Sequence, residues 1–335
     1  LTATLATTSK FNLDCKRGSF SWLVASYFTA PQFLELPAIT QRSYRGALSR
    51  VCGFALKDGR TFGQLMLPDI TPAVADQIHV RLKFRPDGEP RLRSAMLSMR
   101  IAQRAWSVTQ RRHAAEVPPL NPFARMGIRY RPKPTRPVTY TELERFVVAA
   151  DAVGDPSIGT AAMIAYFWLQ RQADILGRLT WAHYRPAHAP DLVQIFHHKT
   201  HELIAIPLFD EDGTQLWPEM TARLEQTMRR GELIVMRDQL DRRRKTYLPW
   251  LEDYFRHRVA DIRERAGISS QVKFMGLRHG GNTEGADADL SDAQLRALSG
   301  HKTANMTVIY AKVTMKQRQE GARKRRDARS GATKI

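Results

Sequence analysis

Residues 273–310 read KFMGLRHGGNTEGADADLSDAQLRALSGHKTANMTVIY, placing Arg278-His279, then Gly300-His301, then a single Tyr310 in a stretch otherwise small or acidic. These residue types suit one chemistry. Breaking a DNA strand without a metal needs a nucleophile, cations on the non-bridging phosphate oxygens, and an acid for the leaving 5′-oxygen. A tyrosine hydroxyl supplies the first, and arginine's planar fork matches the second. Each residue also has a plain structural use: His301 follows Gly300 at a helix end, and Tyr310 lies between Val308 and Val313 as a core aromatic would. Upstream, LQRQADILGRLTW contains Arg171 with Asp174 three residues later, and FHHKTHELIAIPL sets Lys199 between two β-type runs. His197, His198 and His201 beside it have no carboxylate or thiol constellation, so no metal site is expected.

In order and spacing these pieces resemble the tyrosine recombinase (phage integrase) family. Its C-terminal pattern reads roughly His-x-Leu-Arg-His, a gap, Gly-His, then Tyr. Here it becomes Met275-Gly-Leu277-Arg278-His279, Gly300-His301 and Tyr310. LQRQADILGRLTW resembles the family's first arginine box, with Leu179-Thr-Trp181 as its closing pattern, and the hairpin resembles the one carrying the catalytic lysine. The resemblance covers about residues 139–315. It implies that Tyr310 attacks the scissile phosphate to form a 3′-phosphotyrosyl bond, that Arg171, Arg278 and His301 hold the non-bridging oxygens, that Lys199 protonates the leaving oxygen, and that Asp174 orients the arginines. The phosphotyrosine conserves the bond energy, so no cofactor is implied. The implied partners are double-stranded DNA bearing a specific site and further copies of the chain, as a synaptic tetramer. Docking of the basic segment Lys316–Arg329 on a neighbouring protomer is a further implication. One departure stands out: the family's first histidine is Met275, and a thioether neither takes a proton from tyrosine nor bonds a phosphate oxygen usefully. Three readings stay open. The site works without that histidine, a neighbour such as His279 or Lys273 replaces it, or the protein is slow or inactive. A non-catalytic DNA-binding relative is thus an alternative, and a type IB topoisomerase-like enzyme a third that the helical N-terminal region argues against.

The elements that must position these residues are mostly helical. From Trp22, WLVASYFTAPQFLEL breaks at Pro31; Thr40 is expected to cap a helix presenting Tyr44, Leu48, Val51 and Ala55; Thr71 with Pro72 marks another start. RLRSAMLSMRIAQRAWSVTQRRHA is the longest helical pattern, with Met96, Met99, Ala102 and Trp106 at helical spacing. Thr141-x-x-Glu144 reads as a capping box opening the second domain, and Ser291-x-x-Gln294 as another. TAAMIAYFWLQRQADILGRLTWAHY reads as one buried helix ending in a polar turn. DLVQIFHHKTHELIAIPLF reads as a hairpin, and WLEDYFRHRVADIRERAG as an amphipathic helix. Gly280, Gly281 and Gly285 predict a weak helix or a loop after Arg278. The expected fold is mainly α with one small antiparallel sheet, a two-domain DNA clamp. Its parts are a lead-in (1–18), a helical core-binding domain (19–125), a Pro-rich basic linker (126–138), a catalytic domain (139–315) and a basic tail (316–335). Arg125, Arg129, Arg131, Lys133 and Arg136, in and beside the linker, are candidate phosphate contacts, or simply the charges of a solvated segment.

At the scale of the chain, 335 residues exceed what one core usually organises. The 52 Lys and Arg against 33 Asp and Glu give a net charge of +19, a field that attracts polyanions. Two cysteines, Cys15 and Cys52, exclude a disulfide framework and fit a reducing interior. No apolar run reaches the ~20 residues a bilayer requires, and the N-terminus lacks a signal-peptide pattern, so a soluble cytoplasmic protein is expected. Leu1 in place of Met suggests that the numbering begins inside a longer product.

Overall fold

Ser19 starts the first helix: its side chain accepts from the Trp22 N–H, and α1 (Phe20–Phe28) buries Phe20, Leu23, Val24 and Tyr27. The computed structural model describes residues 15–197, 202–300, 314–315 and 317–319. Within it the chain divides between Lys133 and Pro134 into two units, each with its own apolar core. In the first unit, Pro31 opens the single turn α2 (Pro31–Leu34). The next helix, α3 (Ala38–Cys52), begins ahead of the expected cap at Thr40. Pro37 precedes it, and the Pro37 carbonyl accepts from the Thr40 and Gln41 N–H groups, so Thr40 lies inside the first turn. The helix ends at Cys52, which leaves Ala55 outside it. Thr71 caps α4 (Pro72–Leu82) as expected, accepting from Val74 N. The longest helix, α5 (Leu92–Arg112), buries Ala95, Met99, Ala102, Ala105 and Trp106; Met96 is only half-buried, and Arg93, Arg100, Arg104 and Arg111 face water. Residues 126–139 carry neither helix nor strand.

The second unit opens one turn-start earlier than the sequence suggests. Val138 N donates to Gly276 O at 2.9 Å, so the chain is already anchored at Val138. Thr139 is then the first residue able to cap. It forms the box with Glu142, and Thr141 falls within α6 (Tyr140–Ala152). The apolar run expected as one helix is two, α7 (Pro156–Phe167) and α8 (Gln172–Gly177). Leu169 adopts φ +55° between them, a conformation no α-helix accommodates. The expected hairpin is present as β1 (Leu192–His197) paired antiparallel with β2 (Glu202–Pro207), in a register that sets His197 opposite Glu202.

After α9 (Pro218–Glu225) comes a second two-stranded sheet, β3 (Met236–Asp241) with β4 (Thr246–Pro249), where the sequence suggested only one. Its turn, DRRRKT, lacks the usual Gly or Asn signal. Asp241 closes it instead, with Oδ1 accepting from the Arg243 and Arg244 N–H groups. The remaining helices are α10 (Glu252–Arg265), α11 (Met275–Asp287) and α12 (Asp292–Ser299), the last capped by the Ser291/Gln294 box as expected. The architecture is thus mainly helical with small antiparallel sheets.

Helix α11 is continuous through its glycines, against the expectation of a weak helix or loop. The reason is tertiary. A Cβ at Gly280 would lie 2.1 Å from Val138 O, and one at Gly281 would lie 2.1 Å from Tyr166 O. The glycines let the helix backbone press onto the 136–138 segment and onto α7, and that packing stabilises a helix whose intrinsic propensity is poor. Among the described residues no helix is long and apolar enough to cross a membrane.

Candidate active site

The break between α7 and α8 positions the first arginine. Trp168 ends α7, the chain reverses at Leu169, Gln170 is buried, and Arg171 stands at the N-cap of α8 with extended backbone angles. From there its carbonyl accepts from Asp174 N and Ile175 N, and its side chain, 19% exposed, turns toward the hairpin. Arg171 Nη1 lies 3.1 Å from His197 Nδ1 and 3.9 Å from Asp174 Oδ2. Arg171 Nη2 is buried and has no hydrogen-bond acceptor among the described residues. Buried donors are rarely left so, and an anion entering beside Arg171 would satisfy it.

Asp174 is buried on the first turn of α8 between two guanidinium groups, Arg171 and Arg178, the latter at 3.4 Å. Arg178 is absent from the sequence-based candidates. Its i,i+4 spacing from Asp174 on a helix is the signal that could have found it.

The second arginine comes from α11. Arg278, 2% exposed, donates from Nη2 to Ser299 O at 2.8 Å and so ties α11 to the last turn of α12. Gly300 ends that helix in the left-handed conformation, φ +64°. A Cβ there would stand 2.7 Å from the His197 ring, so only glycine brings this turn down onto the imidazole.

His197 is the point where the pieces meet. It is the last residue of β1, and alternation along the strand buries Val193, Ile195 and His197 on one face, leaving no exposed surface on the histidine. Its Nε2 lies 2.6 Å from Gln170 Oε1, and Gln170 Nε2 donates to Trp168 O at 2.5 Å. Burial, then the nearby Arg171, depress its pKa to about 4, with Arg278 adding to the effect and Asp174 and Glu202 opposing it. The imidazole is therefore neutral at physiological pH.

The described structure thus brings Arg171, Asp174 and Arg278 together around His197. Met275, at the start of α11, is 50% exposed and three residues before Arg278, hence on a neighbouring face of the helix. Lys273 is exposed and His279 buried. Lys199, His301 and Tyr310 lie outside the described residues, as do His198 and His201. Just beyond Tyr310, Thr314 Oγ1 and Gln317 Nε2 donate to Asp287 Oδ1 at 2.5 and 2.9 Å, at the end of α11. Among the segment cations, Arg125, Arg129, Arg131 and Lys133 are exposed, whereas Arg136 is held by Glu142 at 2.8 Å. No group of three or more His, Cys, Asp or Glu side chains gathers as a metal site among the described residues.

No protein-family model matches the sequence. No curated protein matches it either. Solved structures do. A lambda integrase tetramer bound to a Holliday junction superposes with a TM-score of 0.68 at 18% identity, over 88% of this chain and 77% of that one. A lambda integrase dimer (75–356) bound to a COC′ core site gives 0.69 at 17% identity, over 89% and 99%. A Tn1549 transposon integrase in complex with a circular intermediate DNA gives 0.64 at 15% identity, over 90% and 99%. The chain therefore has the tyrosine recombinase fold, across both of its units.

Proposed function

We propose that this chain is a site-specific tyrosine recombinase of the integrase type, which cleaves and rejoins DNA through a 3′-phosphotyrosyl intermediate and serves a phage or other mobile element. The observation that carries the reading is the convergence of Arg171 and Arg278, from separate elements, beside a buried neutral histidine in a chain of this fold. Two guanidinium forks with one buried carboxylate between Arg171 and Arg178 leave a net positive site. Such a site suits an anion with several oxygens, and a phosphodiester in transit is one.

The chemistry is a pair of phosphoryl transfers. The Tyr310 hydroxyl attacks phosphorus and gives up its proton to water, the P–O5′ bond breaks, and Lys199 gives the departing 5′-oxygen its proton. Arg171 and Arg278 take up the charge that develops on the non-bridging oxygens, and His301 donates a further hydrogen bond. Rejoining reverses the step: a 5′-hydroxyl from a partner duplex attacks the phosphotyrosine and Tyr310 leaves. Strand exchange requires further copies of the chain, and a tetramer on DNA meets that need; the lambda integrase neighbour was solved as a tetramer bound to a Holliday junction. The exposed cations Arg125, Arg129, Arg131 and Lys133 contact phosphates in this reading, whereas Arg136 acts first as the partner of Glu142.

Met275 favours a second reading, a DNA-binding relative with weak or no cleavage, because a thioether stands where the resemblance calls for an imidazole. One experiment separates the two. Duplexes bound by the protein are selected from a random pool, then rebuilt as nicked suicide substrates. A covalent protein–DNA adduct that disappears in Tyr310→Phe is the expected result. Tight, sequence-selective binding with no adduct from the unaltered protein would establish the second reading in its place.

A further inference from the structure

We infer that His197 is a positioning residue for Arg171: it accepts a hydrogen bond from the guanidinium and donates one to Gln170, fixing the angle from which Arg171 meets phosphate. The role rests on the function proposed above. It is argued from the direction of the hydrogen bonds, which only one protonation state satisfies. Arg171 Nη1 has only N–H to offer, so His197 Nδ1, 3.1 Å away, must carry the lone pair. The proton then sits on Nε2, which faces Gln170 Oε1 at 2.6 Å. Gln170 in turn uses its Nε2 to donate to Trp168 O, the carbonyl at the C-cap of α7. The chain of donors runs one way, from Arg171 to the backbone, and a doubly protonated ring would turn an N–H against the arginine.

The surroundings enforce that state. Facing the ring are Arg171 and Asp174 from the start of α8, Arg278 from α11 and Glu202 from the opposite strand β2, and the balance of these with burial holds the imidazole neutral. Gly300 closes over the ring from α12. Because Arg278 bonds the Ser299 carbonyl next to that glycine, one histidine touches the supports of both arginines. A core histidine that merely fills space needs none of this. Here the strand alternation that buries His197 also points it at Arg171, whose Nη2 is buried with no acceptor among the described residues. A side chain that holds a second one in line matters in catalysis, because small misplacements of a charged group are costly.

The test uses the full chain and the selected suicide duplex, with protein in saturating excess so that adduct formation reports the chemical step. Three variants divide the contacts. H197N places an amide oxygen where Nδ1 stands and keeps the acceptor for Arg171. H197Q reaches Gln170 and loses that acceptor. H197L loses both and keeps the bulk. Cleavage by H197L and H197Q is expected to fall by up to about 100-fold with DNA affinity nearly unchanged, and H197N to recover most of the rate. If H197L does not fold, as read by its melting curve, the comparison of H197N with H197Q decides. Equal rates in those two, or a wild-type rate in H197L, would overturn the positioning role. Absence of any adduct with the unaltered protein is a different failure: it removes the recombinase reading, and the role with it.

Discussion

At the scale of single residues, the site is organised around a histidine that the motif pattern does not mention. Arg171 and Arg278 follow from spacing in the sequence, but what joins them is His197, two positions before Lys199 and hidden among three histidines that look alike as letters. Its neutrality has a measurable cost. In the native state its pKa is lowered to about 4 from the usual 6.5. The unfolded chain therefore binds more protons between those values, and stability is lost as pH falls through that window. Relative to pH 7.5, the contribution at pH 5 should shrink by about 2 kcal/mol. Denaturation of the wild type and of H197N at both pH values isolates it, since other groups titrate alike in the two proteins. An identical pH dependence would mean that the native histidine titrates normally. Met275 contrasts with this. It is half exposed at the head of α11, so nothing in its packing prevents a histidine there.

At the scale of elements, α11 and the α7–α8 break do the positioning. Counting propensities condemns a helix containing Gly276, Gly280, Gly281 and Gly285, yet the helix forms because the first three admit neighbouring backbone and Gly285 admits the Leu290 and Leu295 side chains. The consequence is an inversion of the usual glycine-to-alanine rule. Gly281→Ala would place a methyl group against the Tyr166 carbonyl, which belongs to a buried helix and cannot retreat. Overpacking of about 1–3 kcal/mol outweighs the ~1 kcal/mol gained in helix propensity. Gly177, at the end of α8 with open space around its Cα, is the control: Gly177→Ala should be neutral or slightly stabilising. Urea denaturation of both variants checks the pair, and a Gly281→Ala protein as stable as wild type would show that α11 does not pack as described. The expected cap at Thr141 fails for a related reason. Local pattern allows either threonine, and the bond from Val138 to Gly276 selects Thr139.

For the whole molecule, the net charge of +19 is the property that acts at a distance, and most of the excess falls in residues 1–133. The exposed arginines of α5 and the cations from Arg125 to Lys133 belong to that unit. If these grip phosphates, binding releases counterions, and affinity should fall by roughly 10³-fold or more between 50 and 200 mM salt. Titration of a fluorescent selected duplex across that range measures the slope. A shallow dependence would contradict a protein that holds DNA through many phosphate contacts. The apolar helix faces of both units, the β1–β2 hairpin and the order of arginine box, hairpin and C-terminal motif were legible in the sequence. Periodicity and spacing record local geometry directly, and among the described residues the elements they imply are present, save that the run expected as one buried helix is α7 and α8.

What the sequence determined by itself was therefore the chemistry on offer and the scaffold type: arginines, histidines and a tyrosine in a fixed order, on a mainly helical basic chain. The tertiary structure alone decided which of them meet. A strand's alternation turns His197 inward, a left-handed glycine lowers α12 onto it, and Leu169 breaks a helix so that Arg171 can reach it. The contacts that result, of His197 with Gly300 and with Arg171, join residues far apart in the chain. Propensity and spacing act over a few residues at a time, so they do not record such contacts; the packing of one element on another does.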